Sequence, residues 1–514
     1  MAVSEDSRAG GAGGGSWVVP LLVLVSGTFM AVLDTSITNV AIPKMMVALN
    51  APPDDVEWIV TAYTLMMGVV VPVCGWLGSR FGLARLHRWA MLGFAATSAL
   101  CGLAWSLPSM IVFRVLQAVP GGMLPLIAMI LLMRIVPKSN IGAAMGIYGL
   151  GVTVAPAVGP VLGGYLVEYV DWRLIFYINV PVGILGAAAA AVILPSEKPT
   201  SWPKFDVWGF LTVGYGMFAL LLACAEGQKW GWTGYRILGL FVTGTLSLAL
   251  FVVIELEVPN PLVNLKVLTY WPFVNSLLLL VVVMTGMFTG LYFIPQYLQN
   301  VQGMQAFNAG LVLLPASLVV LVMMPIAGRI YDAVGPRWPV TIGMLIAAYA
   351  SYQLAQMNVE TPRHFIEVNL AIRNFGLGLS MMPIMTAGLA ALPTALSGAG
   401  STMNNVMRQV ISSVSVAALT GMNTDSAQQL MADRGALYDS GAQMLPQIAA
   451  YQEQGASGML GLYTMLTNEI TTQTYANGFY LVAVMSLASV GLTLALRSGG
   501  NSTAKAAKSE IVEV

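Results

Sequence analysis

Two charged residues lie inside long apolar stretches near the start of the chain. Asp34 is 17 residues after Trp17, where the first apolar stretch begins, and Arg114 is in the fourth such stretch. A charge at the centre of a bilayer costs on the order of 2.5–3.5 kcal/mol on insertion scales, and such residues commonly mark ion or proton pathways. Desolvation favours the neutral form of a carboxyl group unless a cation approaches it. We therefore interpret Asp34 as a proton carrier.

Arg114 is the natural partner of Asp34, because an arginine is effectively always charged and must meet an anion, a carbonyl group or water. We expect Arg114 to favour ionisation of Asp34 in one conformation and to withdraw in the other. The alternative is an ion pair that only ties helices together. Three other charges, Glu367, Arg373 and Arg408, also fall in apolar stretches. For these three a structural role is favoured over a direct one.

Glycine and proline are concentrated in another apolar stretch, residues 151–164. It contains Pro156, Gly159, Pro160, Gly163 and Gly164. In a water-facing helix each interior glycine costs about 1 kcal/mol and each proline about 3 kcal/mol. In a bilayer, neighbouring helices satisfy the freed carbonyl groups, and small residues allow close approach. The pattern predicts a bent, tightly packed membrane helix that forms a contact surface between two halves of the molecule.

The composition identifies the class of protein that contains these residues. The chain has 514 residues, of which 57% are hydrophobic and 9% are charged. A soluble protein has about 25% charged residues, so this is an integral membrane protein. The net charge of zero gives no indication of nucleic-acid binding. The chain has two histidines, far apart in the sequence, and three cysteines in apolar segments, so it has few residues that could form a metal or catalytic site. We expect no cofactor.

A helix needs about 20 apolar residues to cross the hydrocarbon core. By this measure we expect fourteen spans. Residues 1–16 are predicted to be a flexible tail. We expect the first span to be retained and not cleaved as a signal peptide. The spans lie near 17–42, 57–77, 88–106, 109–133, 141–166, 173–194, 206–225, 236–256, 271–298, 307–328, 338–356, 365–391, 399–421 and 475–497. The loop 422–474 is long and external, with two short helices expected in it.

The loops also predict the orientation. With the N-terminus inside, fourteen Lys and Arg residues of the loops and tails fall on the cytoplasmic side and six on the outer side. Cytoplasmic loops carry the excess of positive charge, so both termini, including the tail 498–514, are predicted to be cytoplasmic.

The two ends of the chain repeat one another. Gly75-Trp-Leu-Gly-Ser-Arg80-Phe-Gly82 begins 58 residues after Trp17, and Gly328-Arg-Ile-Tyr-Asp332-Ala-Val-Gly335 begins 57 residues after Trp271. The glycine spacing predicts a tight turn in both copies. We interpret the basic loop as a gate at the inner face. The alternative is that its positive charges only determine the orientation of the chain in the membrane. The chain is therefore divided into six-helix bundles at 17–194 and 271–497, with two inserted helices in 195–270.

These motifs resemble those of one transporter family. The loop pattern Gly75-x-Leu77-x-x-Arg80-x-Gly82 resembles that of the major facilitator superfamily, whose halves are parallel six-span repeats. Residues 33–43 and 156–164 resemble motifs of its drug:proton antiporters, and residues 172–181 resemble the sixth-span entry of the fourteen-span EmrB/QacA branch. Two positions depart from the family pattern: Ser79 stands where an acidic residue is usual, and Ala118 where the fourth-span motif has glycine.

The resemblance implies a major facilitator fold and proton-coupled export of amphipathic, often cationic or aromatic drugs from the bacterial cytoplasm across the inner membrane. The loop 422–474 resembles the external loop of EmrB-like members, which implies a contact surface for a periplasmic adaptor. The alternative is a solvated cap over the cavity. The alternatives for function are a dedicated exporter of one metabolite, antibiotic or siderophore, and, less favoured, a membrane enzyme or receptor. Aromatic, amide and methionine side chains suit varied flat ligands. The substrate-cavity candidates are Met30, Tyr63, Gln117, Tyr148, Tyr292, Gln296 and Asn404.

Overall fold

A computed structural model describes residues 17–195, 204–259, 261–393, 396–439 and 455–496. The predicted tails 1–16 and 498–514 lie outside this part of the chain. Every predicted span falls on a helix, and the described residues contain no strand.

The helices of the first half and of the insertion are α1 (Val18–Ala48), α2 (Trp58–Phe81), α3 (Leu83–Gly102), α4 (Leu107–Ile135), α5 (Ile141–Tyr169), α6 (Leu174–Ile193), α7 (Val207–Trp230) and α8 (Tyr235–Glu257). Those of the second half are α9 (Trp271–Val301), α10 (Ala306–Val334), α11 (Arg337–Leu354), α12 (Arg363–Ala390), α13 (Ser397–Asp439) and α14 (Gly455–Ala488).

Ten helical segments of the described chain are long and apolar enough to cross a membrane, by length and composition. The chain is therefore a multi-pass membrane protein. Helices α3, α11, α12 and α13 are not among the ten, because their sequences are less apolar. Fourteen membrane crossings remain a prediction.

The same turn closes the second helix of each half. Gly82 separates α2 from α3 with φ +83°, and Gly335 follows α10 with φ +79°. A side chain is strained at such angles, whereas glycine adopts them freely. The repeated glycine spacing thus corresponds to a sharp helix–helix connection in both halves.

The segment 422–474 differs from the predicted loop with two short helices. Helix α13 continues unbroken to Asp439, and α14 begins at Gly455. Alanine and glutamine are frequent here and are good helix formers, so the flanking helices extend. Residues 440–454 lie outside the described part of the chain.

The inserted helices pack beside the line where the two halves meet. Helix α7 contacts α2 of the first half and α13 of the second half. A Cβ atom on Gly68 of α2 would meet Leu221 of α7 at 2.5 Å and Gln409 of α13 at 3.7 Å. The insertion therefore contacts both halves.

The glycines of residues 151–164 do not form the interface between halves that the sequence predicted. They pack on α1 of the same half: Cβ atoms on Gly159 and Gly163 would lie 2.7 Å from the Ser36 Cβ and 2.6 Å from the Ile37 Cγ1, respectively. Nothing lies within 4 Å of a Cβ on Gly164. Pro160 belongs to the helix, but its side chain lies outside the described residues. The prediction was wrong because composition does not show which neighbouring helix a surface of small residues contacts.

An earlier part of α5 forms the contact between halves. Gly142 meets the backbone of Gly328 on α10, and a Cβ on Gly146 would lie 2.7 Å from the Cα of Pro325 and 2.9 Å from the carbonyl oxygen of Met324. Residues four apart share one face of a helix. Two glycines thus allow the α5 and α10 backbones to touch where the halves cross.

We predict that Gly146→Val destabilises the protein and Gly164→Val does not. Extra volume in a packed site costs about 1–3 kcal/mol, and here the obstructing atoms are backbone atoms that cannot rotate away. Thermal unfolding midpoints of the two purified variants are the measurement. Equal midpoints would show that the α5–α10 contact is not tight.

Candidate functional site

Asp34 and Arg114 form a buried ion pair in the first half. Asp34 lies on α1 and Arg114 on α4, and both side chains are 0% exposed. The Arg114 Nη1 lies 2.5 Å from the Asp34 Oδ2. The structure therefore brings together the two charges that the sequence singled out.

The second carboxylate oxygen of Asp34 is also bound. Oδ1 accepts hydrogen bonds from Gln117 Nε2 at 3.0 Å and from Asn179 Nδ2 at 2.9 Å. Asn179 begins the long segment of α6, and its amide also donates to the Ser98 Oγ of α3 at 3.1 Å. Ser98 in turn donates to the carbonyl oxygen of Phe176 at 2.8 Å. Two helices, α4 and α6, thus donate directly to the carboxylate of α1, and α3 holds Asn179 through Ser98.

The guanidinium of Arg114 is held from several sides. Its Nε donates to the Ile59 carbonyl oxygen at 3.2 Å, and its Nη1 donates to Gln117 Oε1 at 2.7 Å. The Tyr63 ring lies 4.0 Å from the Arg114 Cζ, which is a close cation–π contact. Gln117 bridges both members of the pair, so its amide orientation is fixed by them.

The groups around the Asp34 carboxylate are hydrogen-bond donors: the Arg114 guanidinium and the side-chain amides of Gln117 and Asn179. Charge-assisted hydrogen bonds are about twice as strong as neutral ones, and the low local dielectric strengthens them further. The bond between Arg114 and Asp34 therefore makes a strong link between α4 and α1.

The site contains some of the predicted residues and some that were missed. Tyr63 and Gln117, predicted as cavity residues, contact Arg114 or Asp34 instead, and Met30 is buried one turn before Asp34. The sequence pattern includes Asn179 only as one position of the motif 172–181, and it does not single out Ser98. The signal for both was a polar residue in an apolar helix, which does not by itself reveal its partner.

The glycine- and proline-containing part of α5 supports the helix that carries Asp34. The Ser36 Oγ donates to the Pro156 carbonyl oxygen at 3.3 Å. Ile37 packs against Gly159 and Gly163. These contacts are two and three residues beyond Asp34, so α5 fixes the position of this part of α1.

The other cavity candidates fall in two separate places. At the interface between halves, the Tyr148 hydroxyl donates to the Pro125 carbonyl oxygen at 3.2 Å and interacts with Arg408 of α13. Asn404 is buried one turn before Arg408. In the second half, Gln296 accepts a hydrogen bond from the Tyr475 hydroxyl at 3.1 Å, and Tyr292 lies one turn earlier on α9. The seven candidates do not form a single group.

The two copies of the loop motif make different hydrogen bonds. Both oxygens of Asp332 at the end of α10 accept hydrogen bonds, at 2.9 Å each, from the backbone N–H groups of Gly142 and Ala143 at the start of α5. In the first copy, the Ser79 hydroxyl donates to the Gly75 carbonyl oxygen of its own helix, and Arg80 lies over the Trp76 ring. Asp332 therefore joins the end of α10 in the second half to the start of α5 in the first half.

Two further charges of α12 lie apart from this site. Glu367 is half-buried. Arg373 is 1% exposed and packs inside the second half.

Comparison with known proteins identifies related sequences. The Major Facilitator Superfamily model matches residues 24–416. An uncharacterised transporter of this type from Bacillus subtilis, YhcA, is 35% identical over 79% of this chain and 76% of its own. The tetracenomycin C resistance and export protein of Streptomyces glaucescens is 32% identical over 80% of this chain and 76% of its own. A multidrug resistance protein B homolog of Mycobacterium tuberculosis is 30% identical over 78% of this chain and 75% of its own.

Solved structures share the fold. The proton:xylose symporter XylE superposes with a TM-score of 0.59 at 12% identity, covering 91% of this chain and 94% of XylE. The human organic anion transporter MFSD10 superposes with a TM-score of 0.55 at 11% identity, covering 92% of this chain and all of its own.

We predict that Asp34→Asn and Arg114→Gln each destabilise the protein more than the double variant does. Removing one partner of a buried ion pair costs about 3–5 kcal/mol, because the other charge is left uncompensated. Two neutral amides can hydrogen-bond to each other and to Asn179. Thermal unfolding of the three variants provides the double-mutant cycle. Additive losses would show that the pair is not coupled.

Proposed function

Because the chain belongs to the major facilitator superfamily, we propose that it is a proton-coupled antiporter that exports amphipathic, cationic or aromatic drugs by alternating access. The observation that carries the proposal is the Asp34–Arg114 ion pair, a titratable group held by a cation inside a membrane bundle. Relatives named for multidrug or antibiotic resistance support export of drugs.

The cycle follows from the two states of Asp34. In the inward-open protein, drug binding accompanies loss of the Asp34 proton, and the carboxylate is then stabilised by Arg114. In the outward-open protein, a proton from outside neutralises Asp34, the pair separates and the drug leaves. The membrane potential contributes about 2.3 kcal/mol per charge per 100 mV, which corresponds to roughly fiftyfold accumulation for each charge moved.

Asp332 provides the inner latch in this proposal. Its carboxylate binds the N-terminus of α5, where the exposed N–H groups and the helix dipole favour a negative charge. Opening the inner face breaks these bonds. With fourteen crossings and both termini cytoplasmic, this end of the molecule faces the cytoplasm, and the protein resides in the bacterial inner membrane.

The cargo is proposed to bind between the halves beside Tyr148 and Arg408, with Asn404 one turn before Arg408 on α13. A second candidate function is export of one antibiotic, which the relative named for tetracenomycin C export favours. Arg408 would suit an anionic group on such a cargo. Competition between tetracenomycin C and cationic dyes for transport distinguishes the two candidates, because a dedicated exporter ignores the dyes.

The end of α13 and the start of α14 lie in the segment where a partner protein is proposed to bind. Residues 422–474 are proposed as a contact surface for a periplasmic adaptor, and a cap over the cavity is the alternative. Residues 422–439 and 455–474 of this segment are helical, which supports an ordered surface in these two parts.

We predict that Asp34→Asn reduces drug-dependent proton release from everted membrane vesicles at least tenfold. Asparagine keeps the size of the side chain but cannot bind and release a proton. Glu226→Gln is the matched control, because Glu226 is also a buried carboxyl, on inserted helix α7. Undiminished proton release by Asp34→Asn at equal membrane expression would remove Asp34 from the coupling mechanism.

A further inference from the structure

A groove lies between α3 and α6, at the end of the first bundle where α3 begins and α6 ends. Its volume is about 510 Å³, and residues of these two helices line it. On α3 the lining residues are Arg85, Arg88, Trp89 and Leu92. Their spacing of three and four residues places them on one face of the helix. The groove therefore has two positive charges at one end and apolar side chains along the rest of α3.

The side of α6 that faces these residues is made of small side chains. A Cβ on Gly183 would lie 2.7 Å from the Cβ of Ala95, so the two helices touch at the far end of the groove. Nearer the arginines, alanine side chains of α6 leave the space between the helices open. The lining residues of α6, also spaced by three and four, are Ile184, the buried Ala187, and the exposed Ala188 and Ala191.

The groove opens on the outer surface of the bundle. Trp89, Leu92 and Ile184 are 49%, 47% and 52% exposed, respectively. Apolar side chains that are half-exposed on a membrane bundle contact lipid, and tryptophan is typical of the level where the headgroups begin. The Trp89 ring centre lies 5.4 Å from that of Phe81, so the indole is held beside the turn between α2 and α3. The arginines of the next turn therefore lie at the level of the headgroups.

The two arginines of the groove are accessible and lack a counter-ion. Arg85 is exposed and Arg88 is half-buried. Among the residues that the structure describes, no carboxylate lies within 4.0 Å of either guanidinium group. Arg85 also lies in the first turn of α3, where the helix dipole adds to the positive potential. An anion can therefore reach both charges from outside.

The second half has a related groove. A cavity of about 600 Å³ lies beside Arg337, which begins α11, and Trp271, which begins α9. Helix α11 is the third of its half, as α3 is of the first. Arg337 is two residues after Gly335, and Arg85 is three residues after Gly82. Both repeats thus place an arginine and a tryptophan beside a cavity next to the same glycine turn, and the first repeat has the larger positive charge there.

We propose that the groove between α3 and α6 binds one anionic glycerophospholipid. Its phosphate accepts hydrogen bonds from Arg85 and Arg88, and an acyl chain lies along Trp89, Leu92 and the alanines of α6. Guanidinium groups suit phosphate oxygens, and basic pockets between membrane helices bind anionic headgroups. In the orientation proposed above, the groove faces the inner leaflet. Binding itself depends neither on that orientation nor on proton coupling at Asp34.

Native mass spectrometry of the full chain tests this site. The purified protein is mixed with equal amounts of phosphatidylglycerol and phosphatidylcholine that have the same acyl chains, and the retained lipid is measured. We expect the parent to prefer phosphatidylglycerol. In Arg85→Gln/Arg88→Gln the preference is expected to fall at least fivefold, because each arginine near an anionic headgroup changes the affinity about fivefold. A parent without a preference would overturn the proposal, as would an arginine variant that keeps it.

A matched control removes the same charge elsewhere. Arg236 and Arg363 are exposed arginines at the starts of α8 and α12. We expect Arg236→Gln/Arg363→Gln to keep the preference of the parent for phosphatidylglycerol. An equal loss in this control would show that net charge attracts the lipid without a specific site, and would contradict the proposal.

A further variant tests the groove itself. Ala188→Phe fills the space without changing the charge, and the ring displaces no packed group because Ala188 is exposed. We expect this variant to lose phosphatidylglycerol as the double arginine variant does, at the unfolding midpoint of the parent. Undiminished binding by Ala188→Phe would contradict an acyl chain in the groove. So would displacement of the lipid from the parent by excess sn-glycerol 3-phosphate, which carries the phosphate but no acyl chain.

Discussion

A charge buried in a bilayer must be compensated, and the Asp34–Arg114 pair is where the first half satisfies this constraint. Neither residue is stable there alone, because each would be a desolvated ion. The pair also determines what surrounds it: Gln117 bridges both charges, and Asn179 and Ser98 connect the carboxylate to α6 and α3. Helix α5 then fixes α1 next to Asp34 through Ser36 and Ile37. Displacing Arg114 would therefore disturb much of this bundle.

The two repeats have diverged in complementary ways. The first half has a carboxylate opposite its buried arginine, and the Ser79 hydroxyl in its loop donates to the Gly75 carbonyl oxygen of its own helix. The second half has the bridging carboxylate, Asp332, but glycines opposite Arg373. A twofold-related pair of identical halves would have duplicated both features. The compensated buried arginine thus lies in one repeat, and the carboxylate that bridges α10 and α5 lies in the other.

The sequence predicted the helices and the charged pair better than the contacts. Apolar stretches and glycine turns are local, so the spans and the turns at Gly82 and Gly335 could be predicted from composition and spacing. Pairing of Asp34 with Arg114 could also be predicted, because few partners exist for a buried charge. The partner of the 151–164 surface could not, since small residues allow close packing on any neighbour. Asn179 was missed because an amide in an apolar helix has many possible partners.

The central claim is that Asp34 changes between a carboxylate bound to Arg114 and a protonated carboxyl. Infrared difference spectroscopy of the protein in lipid measures this directly, through the C=O stretch that only a protonated carboxyl has. On acidification, we expect a new carboxyl band in the parent and its absence in Asp34→Asn. A band that is unchanged in Asp34→Asn would show that the titrating group lies elsewhere and would contradict the proposed role of Asp34.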